Sequence, residues 1–206
     1  MALPPVPFRR YVTFFVLAVF GLAADLVTKE WAFNKLGMPL ESPPWWLWKG
    51  YAGFETSLNQ GALFGLGQGW VEVFAGLSFV ALVGISYWLF VAKAAHDAWL
   101  TACLGLITAG VLGNLYDRLG LHSLVWTERL NPAEVGQPVY AVRDFVLVQV
   151  GDQWRWPNFN IADSLLVCGA GLLICLAMRA PQGSTNLVAT GEVTPSQPAE
   201  KRNVAS

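Results

Sequence analysis

Four separated apolar runs, over about residues 11–28, 71–92, 98–116 and 161–178, limit what this chain can fold into. Each is long enough to cross a bilayer as a helix, which takes ~20 residues and at least ~17. Backbone N–H and C=O groups in lipid must be satisfied within the chain, so such runs are predicted as transmembrane helices. Composition agrees. The 206 residues are 54% hydrophobic and 13% charged, against roughly 25% charged in a soluble domain, and mean hydropathy is +0.44. Arg9-Arg10 ahead of the first run and small residues at Ala23-Ala24 also resemble a cleaved signal peptide. The helical pattern continues through Asp25 and Lys29 without a convincing cleavage site, so a retained span is expected.

The segments between the spans have other patterns. Pro39, Pro43, Pro44, Gly50 and Gly53 argue against one long helix between Glu30 and Gly69. Trp45, Trp46 and Trp48 suit a water–lipid interface. Tyr51 to Leu58 and Val139 to Val150 read as strands, the second rich in β-branched and aromatic residues. The expected fold is therefore a membrane all-α core of four transmembrane helices, with a small β-sheet or cradle lying extracytoplasmically on the membrane surface. One membrane domain over 1–180 precedes a Ser/Thr/Pro/Gln-rich tail, 181–206, expected to be disordered and cytoplasmic. Gly105, Ala109 and Gly113 recur every four residues and offer a flat strip for close helix packing.

Four spans put both termini on one side. Arg9, Arg10, Lys93 and Arg179 flank the spans there, while Lys29, Arg118 and Arg155 flank them opposite. The charges ahead of the first span favour cytoplasmic termini and outward-facing large loops.

Several chemistries find no support. With a net charge of −1 nothing is strongly basic in bulk, so nucleic acid is not an expected partner. Cys103, Cys168 and Cys175 lie in apolar runs, in neither a disulfide nor a zinc pattern, and His96 and His122 are far apart, so no metal site is expected. No glycine-rich phosphate loop or G-x-S-x-G elbow occurs.

What remains is a set of polar residues that this topology gathers at the outer span ends. Asp25 and Lys29 are spaced i,i+4 with the acid first, the favourable order. Asn59 and Gly61 precede the second span; Asn114, Asp117 and Arg118 share a face at the end of the third. Asp144 lies in the second strand-like piece, and Asn160 and Asp163 open the fourth span as N-cap and N3 residues. Singly, each is explained by a helix end, a turn or a local ion pair. Their convergence points to a site, since ionisable groups at a membrane boundary are costly.

In order, Asp25-x-x-Thr28-Lys29, Asn59-x-Gly61-Ala62-x-Phe64, Gly113-Asn114-Leu115-Tyr116-Asp117-Arg118, Arg143-Asp144-Phe145 and Phe159-Asn160-Ile161-Ala162-Asp163 closely resemble the motifs of bacterial lipoprotein signal peptidase, also called signal peptidase II. The likeness runs from about residue 11 to 178. It implies a cofactor-free aspartyl endopeptidase of the inner membrane, cleaving lipid-modified prolipoproteins just before the diacylglyceryl-cysteine at the outer face. Carried over, Asp144 and Asp163 form the catalytic dyad. Asn59, Gly61, Asn114, Arg118 and Asn160 orient dyad and substrate, and Asp25 with Lys29 supports the site. Membrane lipids surround the enzyme, and a monomer is expected.

Two close carboxylates cannot both ionise cheaply and share a proton. A helix N-terminus favours the charged form of Asp163, which leaves the proton with Asp144. A lipidated substrate needs a lateral opening between spans, with the Trp-rich segment before Asn59 as a candidate lid. Arg143 departs from the family, which usually has an aliphatic residue there. Strand alternation lets it face water, whereas pairing with Asp144 would lower that pKa. The stretch Thr127 to Gln137 is longer than the family leads one to expect, so Asp117 stands as fallback partner for Asp163, with local pairing to Arg118 as its other use. The competing functions are a non-catalytic membrane scaffold and a small proton-coupled carrier. A carrier would place its acids near the midplane, often with an internal repeat; here they sit at span ends and no repeat is seen.

Overall fold

A computed structural model of the chain describes residues 4–61, 67–151 and 153–179. The expected disordered tail lies outside the described residues, as do Ala62 and Phe64 of the second motif. Among the described residues four helical segments are long and apolar enough to span a membrane: α1 (Phe8–Leu36), α2 (Val71–Ser86) with its continuation to Val91, α3 (Ala98–Arg118) and α4 (Ile161–Arg179). A wider π-helical turn, Tyr87–Val91, extends α2. This is a multi-pass membrane protein.

The most buried helix is α3, with α1, α2 and α4 packed around it. Its small residues permit this. The strip Gly105, Ala109 and Gly113 faces α1: Gly105 meets Phe14 and Leu17, Ala109 meets Gly21, and Gly113 meets the Asp25 carboxylate. Gly110, on the adjoining face, lies against α4. A Cβ there would stand 2.5 Å from the Ala162 carbonyl oxygen and 2.6 Å from Leu166 Cγ. In lipid, where apolar surface gains nothing from leaving the solvent, this close backbone approach is the main source of helix association.

The strands β1 (Trp45–Trp48), β2 (Ala52–Asn59), β3 (Val142–Val150) and β4 (Trp154–Phe159) form one antiparallel sheet in chain order. It rests on the end of α1, where Ala32 and Phe33 pack against Phe145 with Phe54, Leu58 and Ile161 around them. The first helix therefore runs two turns beyond the span end expected at Thr28. Its last turns carry the sheet. Gly37 stops the helix at φ 77°, its N–H reaching the Phe33 carbonyl at 2.9 Å.

Two further differences concern the sheet. The Trp-rich segment proposed as a lid is the edge strand β1, with Trp45 packed on Trp31 and Phe54. The residues before Asn160 form β4, although they include Pro157. An edge strand pairs on one side only, so a missing N–H is tolerated there.

Gly110→Val should lower stability by about 1–3 kcal/mol or more through overpacking against α4. Gly84→Ala, where a Cβ meets nothing within 4 Å, should change it little. Thermal unfolding of both variants in detergent checks the contrast.

Candidate active site

Strand β3 and helix α4 bring two carboxylates to one place. Residues Asn160 and Asp163 form a reciprocal capping box: the Asp163 N–H donates to Asn160 Oδ1 at 2.9 Å, and the Asn160 N–H donates to Asp163 Oδ2 at 3.2 Å. The Asn160 side-chain amide then donates to Asp144 Oδ1 at 2.7 Å. One residue thus caps α4 and ties Asp163 to Asp144. Register sets this up, because Val146 pairs with Phe159 and the chain enters α4 at the next residue.

Two more asparagines complete the cradle. Asn59 donates to Asp144 Oδ2 at 3.3 Å, and its own oxygen accepts from the Gly61 N–H at 2.9 Å. The strand β2 that carries it shifts register between Phe54 and Ser57, beside Asp144; such bulges re-aim side chains. Asn114 donates to Asp163 Oδ1 at 2.8 Å, while its oxygen accepts from Lys29 Nζ at 3.2 Å and Asn160 Nδ2 at 3.1 Å. Those two donors fix the Asn114 amide, since reversing it would set N–H groups against an ammonium.

Behind the asparagines lies a buried ionic cluster. Lys29 Nζ lies 2.7 Å from Asp25 Oδ2 and 3.0 Å from Asp117 Oδ2, all three side chains fully buried. Arg143 contacts Asp117 Oδ1 at 3.0 Å and Glu30 at 3.2 Å, and its N–H also donates to Asp117. Asp25 accepts from the Ala162 N–H at 2.8 Å, pinning the first turn of α4 to α1.

Asp144 is 2% exposed, and among the described residues no cation lies within ion-pair distance of it. Burial first, then the nearby Asp163 charge, push its carboxyl up to about 8, against the pull of Lys29 and the asparagine amides. Asp163 is less enclosed. It lines a cleft of about 390 Å³ between α2 and α4, floored by Val111, Asn114 and Arg118 of α3. Arg118 donates to the Gly61 carbonyl at 3.0 Å, and its buried Nε has no partner among the described residues.

Comparison with known proteins decides the family. The sequence pattern of Signal peptidase (SPase) II matches residues 17–179. A lipoprotein signal peptidase of Rhodopirellula baltica is 50% identical over 168 residues, covering 82% of this chain and 72% of that protein. Another from Ectopseudomonas mendocina is 32% identical, covering 79% and 86%. This chain belongs to the signal peptidase II family. The fold agrees with a bacterial membrane enzyme solved by the in meso method at 2.3 Å, with a TM-score of 0.68 at 23% identity over 94% of this chain and all of that one. A second, solved at 1.9 Å, gives 0.63 at 25% identity over 82% and 94%.

All nine residues singled out as this family's site lie in one connected set: Asp25, Lys29, Asn59, Gly61, Asn114, Arg118, Asp144, Asn160 and Asp163. Two expectations need correction. Arg143 neither faces water nor pairs with Asp144; it points to the opposite strand face, buried against Asp117 and over Phe33. Asp117 pairs with Lys29 and Arg143, not with Arg118. Adjacent helix residues diverge around the axis and do not face each other. Arg143 and Glu30 are cluster members that sequence reasoning missed. The only available signal was an arginine where the family usually has an aliphatic residue.

Lys29→Met would leave buried Asp25 without its cation and Asp117 with Arg143 alone, and should cost about 3–5 kcal/mol. Arg143→Met should cost less, because Lys29 still neutralises Asp117. Unfolding midpoints of the two variants test that order.

Proposed function

We propose that this protein is a membrane aspartyl endopeptidase that removes the signal peptide from diacylglyceryl-modified prolipoproteins, cleaving before the lipidated cysteine. The observation that carries this reading is the pair Asp144 and Asp163, joined through Asn160, with Asp144 favouring the protonated form to about 8. At neutral pH one carboxyl then keeps a proton while the other serves as base.

Chemically, the ionised Asp163 takes a proton from water as the oxygen attacks the scissile carbonyl carbon. Asp144 gives its proton to the carbonyl oxygen, and a neutral tetrahedral diol forms. Collapse returns a proton to Asp144 from one hydroxyl, while Asp163 passes its proton to the leaving nitrogen. The C–N bond breaks, leaving a carboxyl and an amine, and the pair regains its starting state. Asn114 and Asn160 hold the carboxylates, and Lys29 holds Asn114.

The cleft between α2 and α4 suits lateral entry. Val111, Leu166, Val167 and Ala170 give it apolar walls, and Asp163 lies within it. A lipidated cysteine reaches the pair from the membrane without leaving its acyl chains in water. We place the protein in the cell inner membrane with both termini cytoplasmic, following Arg9 and Arg10 ahead of α1. The sheet and site then face outward, and one chain supplies every residue of the site.

Asp144→Asn and Asp163→Asn should each reduce cleavage of a lipidated precursor by at least about 10³-fold, with folding retained. Normal processing by either folded variant would overturn the dyad. Full function in both would favour a scaffold.

A further inference from the structure

Arg118 borders a second, larger cleft of about 1060 Å³. One wall is the start of α2, with Val71, Glu72 and Phe79; the other is the segment after α3, with Trp126, Asn131 and Glu134. This second wall is the stretch longer than the family leads one to expect, and it is built rather than loose. The Trp126 N–H donates to the Gln137 carbonyl, the Gly136 N–H to the Trp126 carbonyl, and the Val139 N–H to the Leu124 carbonyl, each at 2.9 Å. A bridge between Val125 and Pro138 closes its base.

The two clefts differ in what they can hold. The smaller, between α2 and α4, has mainly apolar walls and contains Asp163. The larger mixes aromatic and aliphatic surface with amides and two carboxylates. A substrate cut just before a lipidated cysteine keeps its signal segment and the cysteine's acyl chains in the membrane, while the residues after the cysteine continue as a water-soluble polypeptide. The preformed cleft across Arg118 has the size and mixed polarity for that polypeptide.

Resting on the peptidase reading above, we propose that this cleft receives the first residues of the mature polypeptide, immediately after the lipidated cysteine, and disfavours acidic ones. Charge gives the selectivity. Glu72 and Glu134 line the cleft, and Asn131 Nδ2 holds one Glu134 oxygen at 2.8 Å. Arg118 is the sole cation among the lining residues, and it is already engaged with the Gly61 carbonyl and the Phe74 ring. A carboxylate entering there meets two like charges, whereas a lysine meets opposite ones.

The test uses the full-length protein in detergent and lipidated peptides that are identical through the cysteine and carry Lys, Ala or Asp at the next two positions. Wild type should cleave the Lys peptide with kcat/KM about 10-fold above the Asp peptide. Glu72→Gln with Glu134→Gln should bring that ratio to about 2 or less. Independently of any variant, raising salt from about 0.05 to 0.5 M should shrink the wild-type ratio by screening. Equal cleavage of both peptides by wild type overturns the proposal, as does a uniform loss in the variant with the ratio kept. A ratio unmoved by substitution, with an altered preference for acyl chain length instead, would assign the cleft to lipid and also overturns it. If no peptide is cleaved, the Ala peptide included, the peptidase reading falls with it; cleavage without charge preference removes the cleft assignment alone.

Discussion

A buried carboxylate with no cation of its own is the constraint on which the rest of this structure depends. Removing a charge from water costs several kcal/mol even after relaxation. Asp144 is buried, and a second acid stands nearby. The basic groups around it are engaged elsewhere, Lys29 with Asp25 and Asp117, Arg143 with Asp117 and Glu30, and Arg118 with the Gly61 carbonyl and the Phe74 ring. The least costly solution is for Asp144 to keep its proton. Burial that would otherwise be a liability becomes the means of holding an acid at neutral pH.

Much of the fold serves to make that arrangement rigid. Small residues let α3 approach α1 and α4 closely enough for Lys29 to reach both Asp117 and Asn114. The overrun of α1 carries the sheet, and the sheet delivers Asp144 on the face opposite Arg143. The β3–β4 register places Asn160 where one side chain can cap α4 and hold Asp144. Opposite charges within the ionic cluster offset much of its burial, and among the described residues the site carboxylates are held by Asn59, Asn114 and Asn160.

Legibility in the sequence followed the range of the interactions. Spans were readable because lipid imposes length and composition directly, and Asn160 with Asp163 because a capping box is a four-residue pattern. The Gly105–Ala109–Gly113 strip was readable for the same local reason. The overrun of α1 was not, since its apolar residues Ala32, Phe33 and Leu36 are spaced for packing on a sheet, not for facing lipid. β4 was obscured by Pro157, which a strand tolerates only at an edge, at its first residue or at a bulge. Partners of Asp117 come from α1 and β3, and no local rule brings Lys29 and Arg143 to one carboxylate. Gathering the site residues depended on the family likeness and the span ends together; the ionic cluster behind them required the tertiary structure.

Isotope-edited infrared titration of the aspartate carboxyls, comparing wild type with Asp144→Asn, tests this account most directly. A protonated carboxyl band should be present at pH 7 in wild type, be absent in the variant, and disappear as pH rises through about 8. The sign follows from burial and the neighbouring charge, both of which favour the neutral acid. Only carboxylate bands at pH 7 in wild type, unchanged by the substitution, would contradict it.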